Sequence, residues 1–94
     1  MAEIDVRPTG EDDDAFTFEV VVNESESSSR HVVSLQRADA GELRDGSARK
    51  ELLRRCFEYL LEREPKESIL AQFDVRDIGR YFPDFRIDQL SPER

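Results

Sequence analysis

The chain has 94 residues, 37% hydrophobic and 38% charged, and 22 acids against 14 bases leave a formal net charge of −8. That length suits one domain that can bury a core unaided, and a single Cys excludes an internal disulfide or a thiolate cluster. The negative balance argues against phosphate backbones and anionic membranes as default partners.

The imbalance is local. Residues 1–47 hold 12 acids and 4 bases, whereas residues 48–94 hold 10 of each. Twelve of the bases are Arg, a usage that reads first as genome bias. Residues 1–10 lack a charged-then-apolar leader pattern. No apolar run approaches the roughly 18 residues of a membrane span. The expectation is a soluble, cytoplasmic protein without cofactor or metal.

Residues 2–7 alternate, with Ile4 and Val6 on one side, and read as a short strand. Pro8-Thr9-Gly10 is expected to break it, and Glu11 to Asp14 to continue the turn. Residues 15–23 are the clearest strand. Phe16, Phe18, Val20 and Val22 face a core, and Thr17, Glu19 and Asn23 face water. A polar loop, ESESSS, spans 24–29 and offers serines beside acids as phosphorylation candidates. Residues 30–36 read as a third strand, with His31, Val33 and Leu35 on one side and Val32 opposite. Residues 1–36 are thus expected to form a three-stranded antiparallel meander. Residues 37–46 read either as one helical turn capped by Asp39 and ending at Gly46, or as a loop.

Residues 47–64 predict the main helix. Ala48, Leu52, Leu53, Cys56, Phe57, Tyr59, Leu60 and Leu61 recur at helical intervals. Ser47 is the expected N-cap and Pro65 the stop. At about 100° per residue the apolar arc covers roughly 220°, against a stripe of about 100° on an ordinary surface helix. Such a helix needs cover on two sides: a sheet on one, and further helices or a second copy on the other.

Pro65 to Ser68 is expected to open a short helix that buries Ile69, Leu70 and Phe73. Asp74 reads as a fresh N-cap, with Asp77 completing an acidic capping box. The next helix, residues 75–82, would turn Val75, Ile78 and Phe82 inward until Pro83 stops it. Residues 83–94 form a tail in which Phe85, Ile87 and Leu90 remain available to the core. The whole is α+β in a single domain, 1–94. The segregation of strands from helices argues against a parallel sheet.

Candidate sites are few. Arg44, Arg49, Lys50, Arg54 and Arg55 suggest a nucleic-acid face, extended by Arg76 and Arg80. However, Glu51–Arg55 and Arg54–Glu58 stand four apart and neutralise one another. His31 has no orienting carboxylate beside it and reads as a half-exposed strand residue. Cys56 lies on the apolar arc and reads as core. Asp12, Asp13 and Asp14 lack the alternating spacing of a calcium loop and read as a turn. Tyr81, Phe82 and Phe85 flank a Pro at a helix end. They either cap the open side of the main helix or form a protein contact. The familiar phosphate-loop, zinc-protease, redox-cysteine and hydrolase motifs are absent from the sequence.

Phe57, Leu60, Leu61, Arg63, Glu64, Pro65, Ser68, Ile69, Leu70, Tyr81, Phe82 and Pro83 form an FxxLLxREPxxSIL pattern followed by YFP. This run resembles the C-terminal half of a group of small bacterial proteins with no assigned function. The resemblance covers about a third of the chain and implies no activity and no catalytic residue. The expected function is a non-catalytic protein-interaction or regulatory domain, with a homodimer as one form of that contact. The alternative is a nucleic-acid-binding regulator using the arginine face, and an enzyme is the least supported class.

Overall fold

The computed structural model describes residues 2–41, 43 and 45–90. Three antiparallel strands come first: β1 (Glu3–Glu11), β2 (Ala15–Glu24) and β3 (Ser27–Gln36). Alternation in β2 is expressed as expected, because Phe16, Phe18, Val20 and Val22 are all buried. β1 runs through Pro8 instead of stopping there. A register shift between Pro8 and Gly10 absorbs Thr9. β1 also lies at the sheet edge, where a residue without an N–H is tolerated.

The acidic run is a turn. Asp12 Oδ1 accepts from the Asp14 and Ala15 amides at 2.8 and 2.9 Å. Those two bonds hold the Asp12 carboxyl below its ordinary range. The expected loop 24–29 is mostly strand. Glu24 pairs with Ser27, so only Ser25 and Glu26 make the hairpin turn. A helical turn, α1 (Arg37–Ala40), then closes on Gly41 at φ 59, a left-handed conformation that suits glycine. It starts before Asp39 and ends before Gly46. Glu42 and Arg44 of that ambiguous stretch lie outside the described residues, as do residues 91–94 of the expected tail.

The main helix, α2, spans Gly46–Leu61. Its cap is Asp45 and not Ser47: the Asp45 carboxylate accepts from the Ser47 amide at 2.9 Å. A carboxylate caps well and adds favourable charge at the positive end of the helix. The helix stops at Leu61, short of the expected Glu64. Leu52, Leu53, Cys56, Phe57 and Leu60 are buried in it.

The main correction follows Pro65. No helix buries Ile69, Leu70 and Phe73 together. A 3-10 turn (Lys66–Ser68) leads into β4 (Gln72–Asp74), which pairs in parallel with β3 and sets Phe73 beside Val33. The sheet is therefore four-stranded and mixed, in the order β1-β2-β3-β4. The expected three-stranded meander is only its first part, and β3–α2–β4 is the parallel crossover that strand segregation argued against. Three residues are too few to leave an alternation signal. The crossover helix, by contrast, is long enough for a parallel return.

Asp74 ends β4 and caps α3 (Val75–Tyr81). Its Oδ1 accepts from the Arg76 amide at 2.9 Å, and Asp77 Oδ2 accepts from the Asp74 amide at 3.1 Å, which is the expected capping box. Its Oδ2 accepts from Ser34 Oγ at 2.5 Å and Gln36 Nε2 at 2.8 Å. Partial burial pushes this carboxyl up, but the bonds from Gln36, Ser34 and the Arg76 amide outweigh it and leave the pKa below 3.8. α3 buries Val75 and Ile78. Beyond it, Phe85 is buried, and Ile87 and Leu90 of α4 (Ile87–Leu90) pack against the same core. Arg55 donates to the Leu90 carbonyl at 3.2 Å. Most of the apolar arc of α2 is thus enclosed within one chain. Among the described residues, no helix is long and apolar enough to cross a membrane.

Asp74 gives a pH test. Its contribution is complete above 3.8 and is lost as pH falls through its lowered pKa. Asp74→Asn keeps an acceptor but cannot ionise. The stability gap between wild type and this variant should therefore shrink as pH falls below 3.8 when thermal midpoints are followed downward from neutrality. A gap that stays constant to the acid limit would contradict the assignment.

Candidate functional site

Three partly buried polar contacts hold the segment after Pro65 against the strands. The first is Lys66, whose Nζ donates to Glu67 and Ser27 Oγ at 2.6 Å each and lies 2.9 Å from Glu24. A lysine only 3% exposed needs such pairing. Glu67 and then Glu24 hold its pKa above 10.5, and Lys66 in turn holds Glu67 below 4.5.

The second is His31, which is 2% exposed, not half-exposed as the sequence suggests. Its Nδ1 lies 2.7 Å from the Leu70 carbonyl and its Nε2 lies 2.8 Å from Ser29 Oγ. A carbonyl only accepts, so Nδ1 carries a proton and donates to it, while Nε2 shares a hydrogen bond with the Ser29 hydroxyl. The ring also packs on Phe57, with centroids 5.3 Å apart. The burial follows from β4: with a fourth strand beside it, β3 is no longer an edge. The third contact is Asp74, already described.

These contacts position the walls of a groove. Leu60, Ile69, Phe73 and Ile78 form its floor, and Leu70, Tyr81 and Phe82 its rim. Glu64, Ser68 and Asp77 supply the polar lips. The enclosed volume is about 130 Å³, below the ~300–1,000 Å³ of pockets that enclose drug-sized ligands. With its carbonyl fastened to His31 and its neighbour Ile69 buried, Leu70 turns its side chain outward and is 49% exposed. Tyr81, at the end of α3, is 66% exposed.

The aromatic cluster of the sequence therefore divides. Tyr81 stands on the surface, Phe82 is half-buried and Phe85 belongs to the core. Tyr59 holds the last two, with ring centroids 6.2 Å from Phe82 and 5.2 Å from Phe85, and the Arg63 guanidinium covers its ring at 3.6 Å. The Tyr59 hydroxyl is buried and has no hydrogen-bond partner among the described residues.

The arginine stripe also divides. Arg54 bonds both oxygens of Glu51 and one of Glu58, at 3.0, 2.6 and 2.6 Å. Arg55 reaches Glu51 at 3.0 Å. The hydrogen bond from Arg54 is the main reason the Glu51 carboxyl lies below its ordinary range. Arg49 turns to the Leu43 carbonyl at 2.9 Å and stacks on Phe16 at 4.1 Å, where Arg37 also stacks at 4.4 Å. Lys50 is exposed. Arg76 bonds Asp39 at 2.6 Å, and Arg80 lies 3.7 Å from Asp77. Arg44 lies outside the described residues.

Cys56 is buried, and burial pushes its thiol up to about 12, far from nucleophilic use at neutral pH. Sequence reasoning missed Lys66, because Glu24 and Ser27 reach it from the β2–β3 hairpin and only Glu67 is its chain neighbour. It missed Leu70 because a helical reading turns that residue inward. No family model matches the chain, no curated protein matches it, and no solved structure matches it.

Two substitutions test this wall. His31→Leu leaves the Leu70 carbonyl unpaired, so unfolding should become easier by about 1–3 kcal/mol, measured by denaturant titration; an unchanged midpoint would remove the anchor. Tyr59→Phe deletes a buried hydroxyl without a described partner. Its thermal midpoint should hold or rise by a few degrees, and a clear fall would mean that the hydroxyl is bonded.

Proposed function

We propose that this chain is a small non-catalytic protein-interaction or regulatory domain whose contact surface is the groove beside β4. One observation carries the reading: Leu70 and Tyr81 stand half to two-thirds exposed around an apolar floor that the other described residues leave open. Large apolar side chains rimmed by polar groups are the usual make-up of an interaction site. The residues with catalytic potential support it from the other direction. Both nitrogens of His31 are engaged in the wall, and the Cys56 thiol is buried.

A nucleic-acid reading draws less support. Arg54 and Arg55 are bonded to Glu51 and Glu58, and Arg49 turns toward Phe16. Such pairing reduces the free cations that the described residues of this face offer to phosphate.

Leu70→Asp with Tyr81→Asp tests the proposal. Both sites are surface positions, so the thermal midpoint should stay close to that of wild type. Proteins that co-purify with the wild-type chain from its own host should be lost with the double variant. Recovery of the same set with both proteins would sink the groove as the contact surface.

A further inference from the structure

This inference rests on the groove reading above and names the occupant. The chain carries −8 overall, all of it from residues 1–47 and not from the segment that builds the groove, so the long-range field of the whole chain draws cationic partners and repels anionic ones, a second copy of itself included. On the lip of the groove one carboxylate, that of Glu64, carries that sign without an ion-pair partner among the described residues. Nearby cations are engaged: Arg63 lies 3.3 Å from Glu62, Lys66 joins Glu24 and Glu67, and Arg80 lies 3.7 Å from Asp77 on the lip itself. Asp77 is further engaged by the Asp74 amide.

The enclosed volume, about 130 Å³, admits a side chain and not a whole cofactor. We propose that the groove takes a short cationic segment of a partner protein. One leucine- or phenylalanine-sized side chain seats between Leu70 and Tyr81, and an adjacent Arg or Lys pairs with Glu64. Apolar insertion supplies the anchor, and the carboxylate selects against acidic segments carrying the same anchor.

The probe is a library of random dodecapeptides displayed on phage and selected on the immobilised full-length chain. Recovered peptides should carry Arg or Lys beside a large apolar residue. Synthesised singly, they should lose about tenfold in affinity on Leu70→Asp. Glu64→Lys should cost a similar factor, and raising salt should weaken wild-type binding. Neutral or acidic peptides that lose affinity on Leu70→Asp but bind Glu64→Lys equally well would overturn the cationic occupant and leave the groove reading standing. Peptides indifferent to Leu70→Asp, or no recovered peptide at all, would overturn both. A wild-type dimer in sedimentation that Leu70→Asp dissociates would replace the cationic segment with a second copy.

Discussion

The structure depends on the addition of β4 to β3. Three residues of parallel pairing are too short to stand alone, since isolated short strand pairs are marginal in water. Side chains of β3 reinforce the pairing along its length: Ser27 accepts from Lys66, His31 donates to the Leu70 carbonyl, and Ser34 and Gln36 donate to Asp74. Each of these contacts is buried or half-buried, so losing one partner strands the other. Through them β3 decides where the 3-10 turn, the rim residue Leu70 and the start of α3 come to rest. The groove is a by-product of that arrangement, because its floor is the seam between α2, β4 and α3.

The same residues answer what covers the wide apolar arc of α2. The sheet covers one side: Phe57 contacts both His31 and Phe73, at 5.3 and 5.9 Å between ring centroids. The C-terminal segments cover the other through Ile78, Phe82 and Phe85. Among the described residues, what stays open beside α2 is the notch between Leu70 and Tyr81.

Charge follows a similar logic of local settlement. On the outer face of the sheet Glu19 lies between Arg7 and Arg30, at 3.9 and 3.5 Å, a cross-strand arrangement that favours the observed register. On α2, Glu51 and Glu58 answer Arg54 and Arg55. Exposed pairs of this kind contribute little to stability, about 0–1 kcal/mol each. Their effect is on recognition, because they quieten the arginine stripe and leave the acidic sign of the whole chain to set the long-range field.

Sequence alone determined the elements that carry their own periodicity or punctuation. β2 was legible because its alternation is uninterrupted, α2 because its apolar spacing persists over four turns, and the Asp74–Asp77 box because capping is a contact between near neighbours. The Cys56 position was legible for the same reason as the arc around it. Only the tertiary structure decided the rest. β4 is defined by backbone pairing with a strand some forty residues earlier, and no local pattern records that. From it follow the burial of His31, the outward turn of Leu70 and the separation of exposed Tyr81 from buried Phe85. Lys66 is likewise legible only once Glu24 and Ser27 of the hairpin arrive beside it. Local signals are written in the spacing of one segment, whereas the groove is made of partners that meet only when the chain returns on itself.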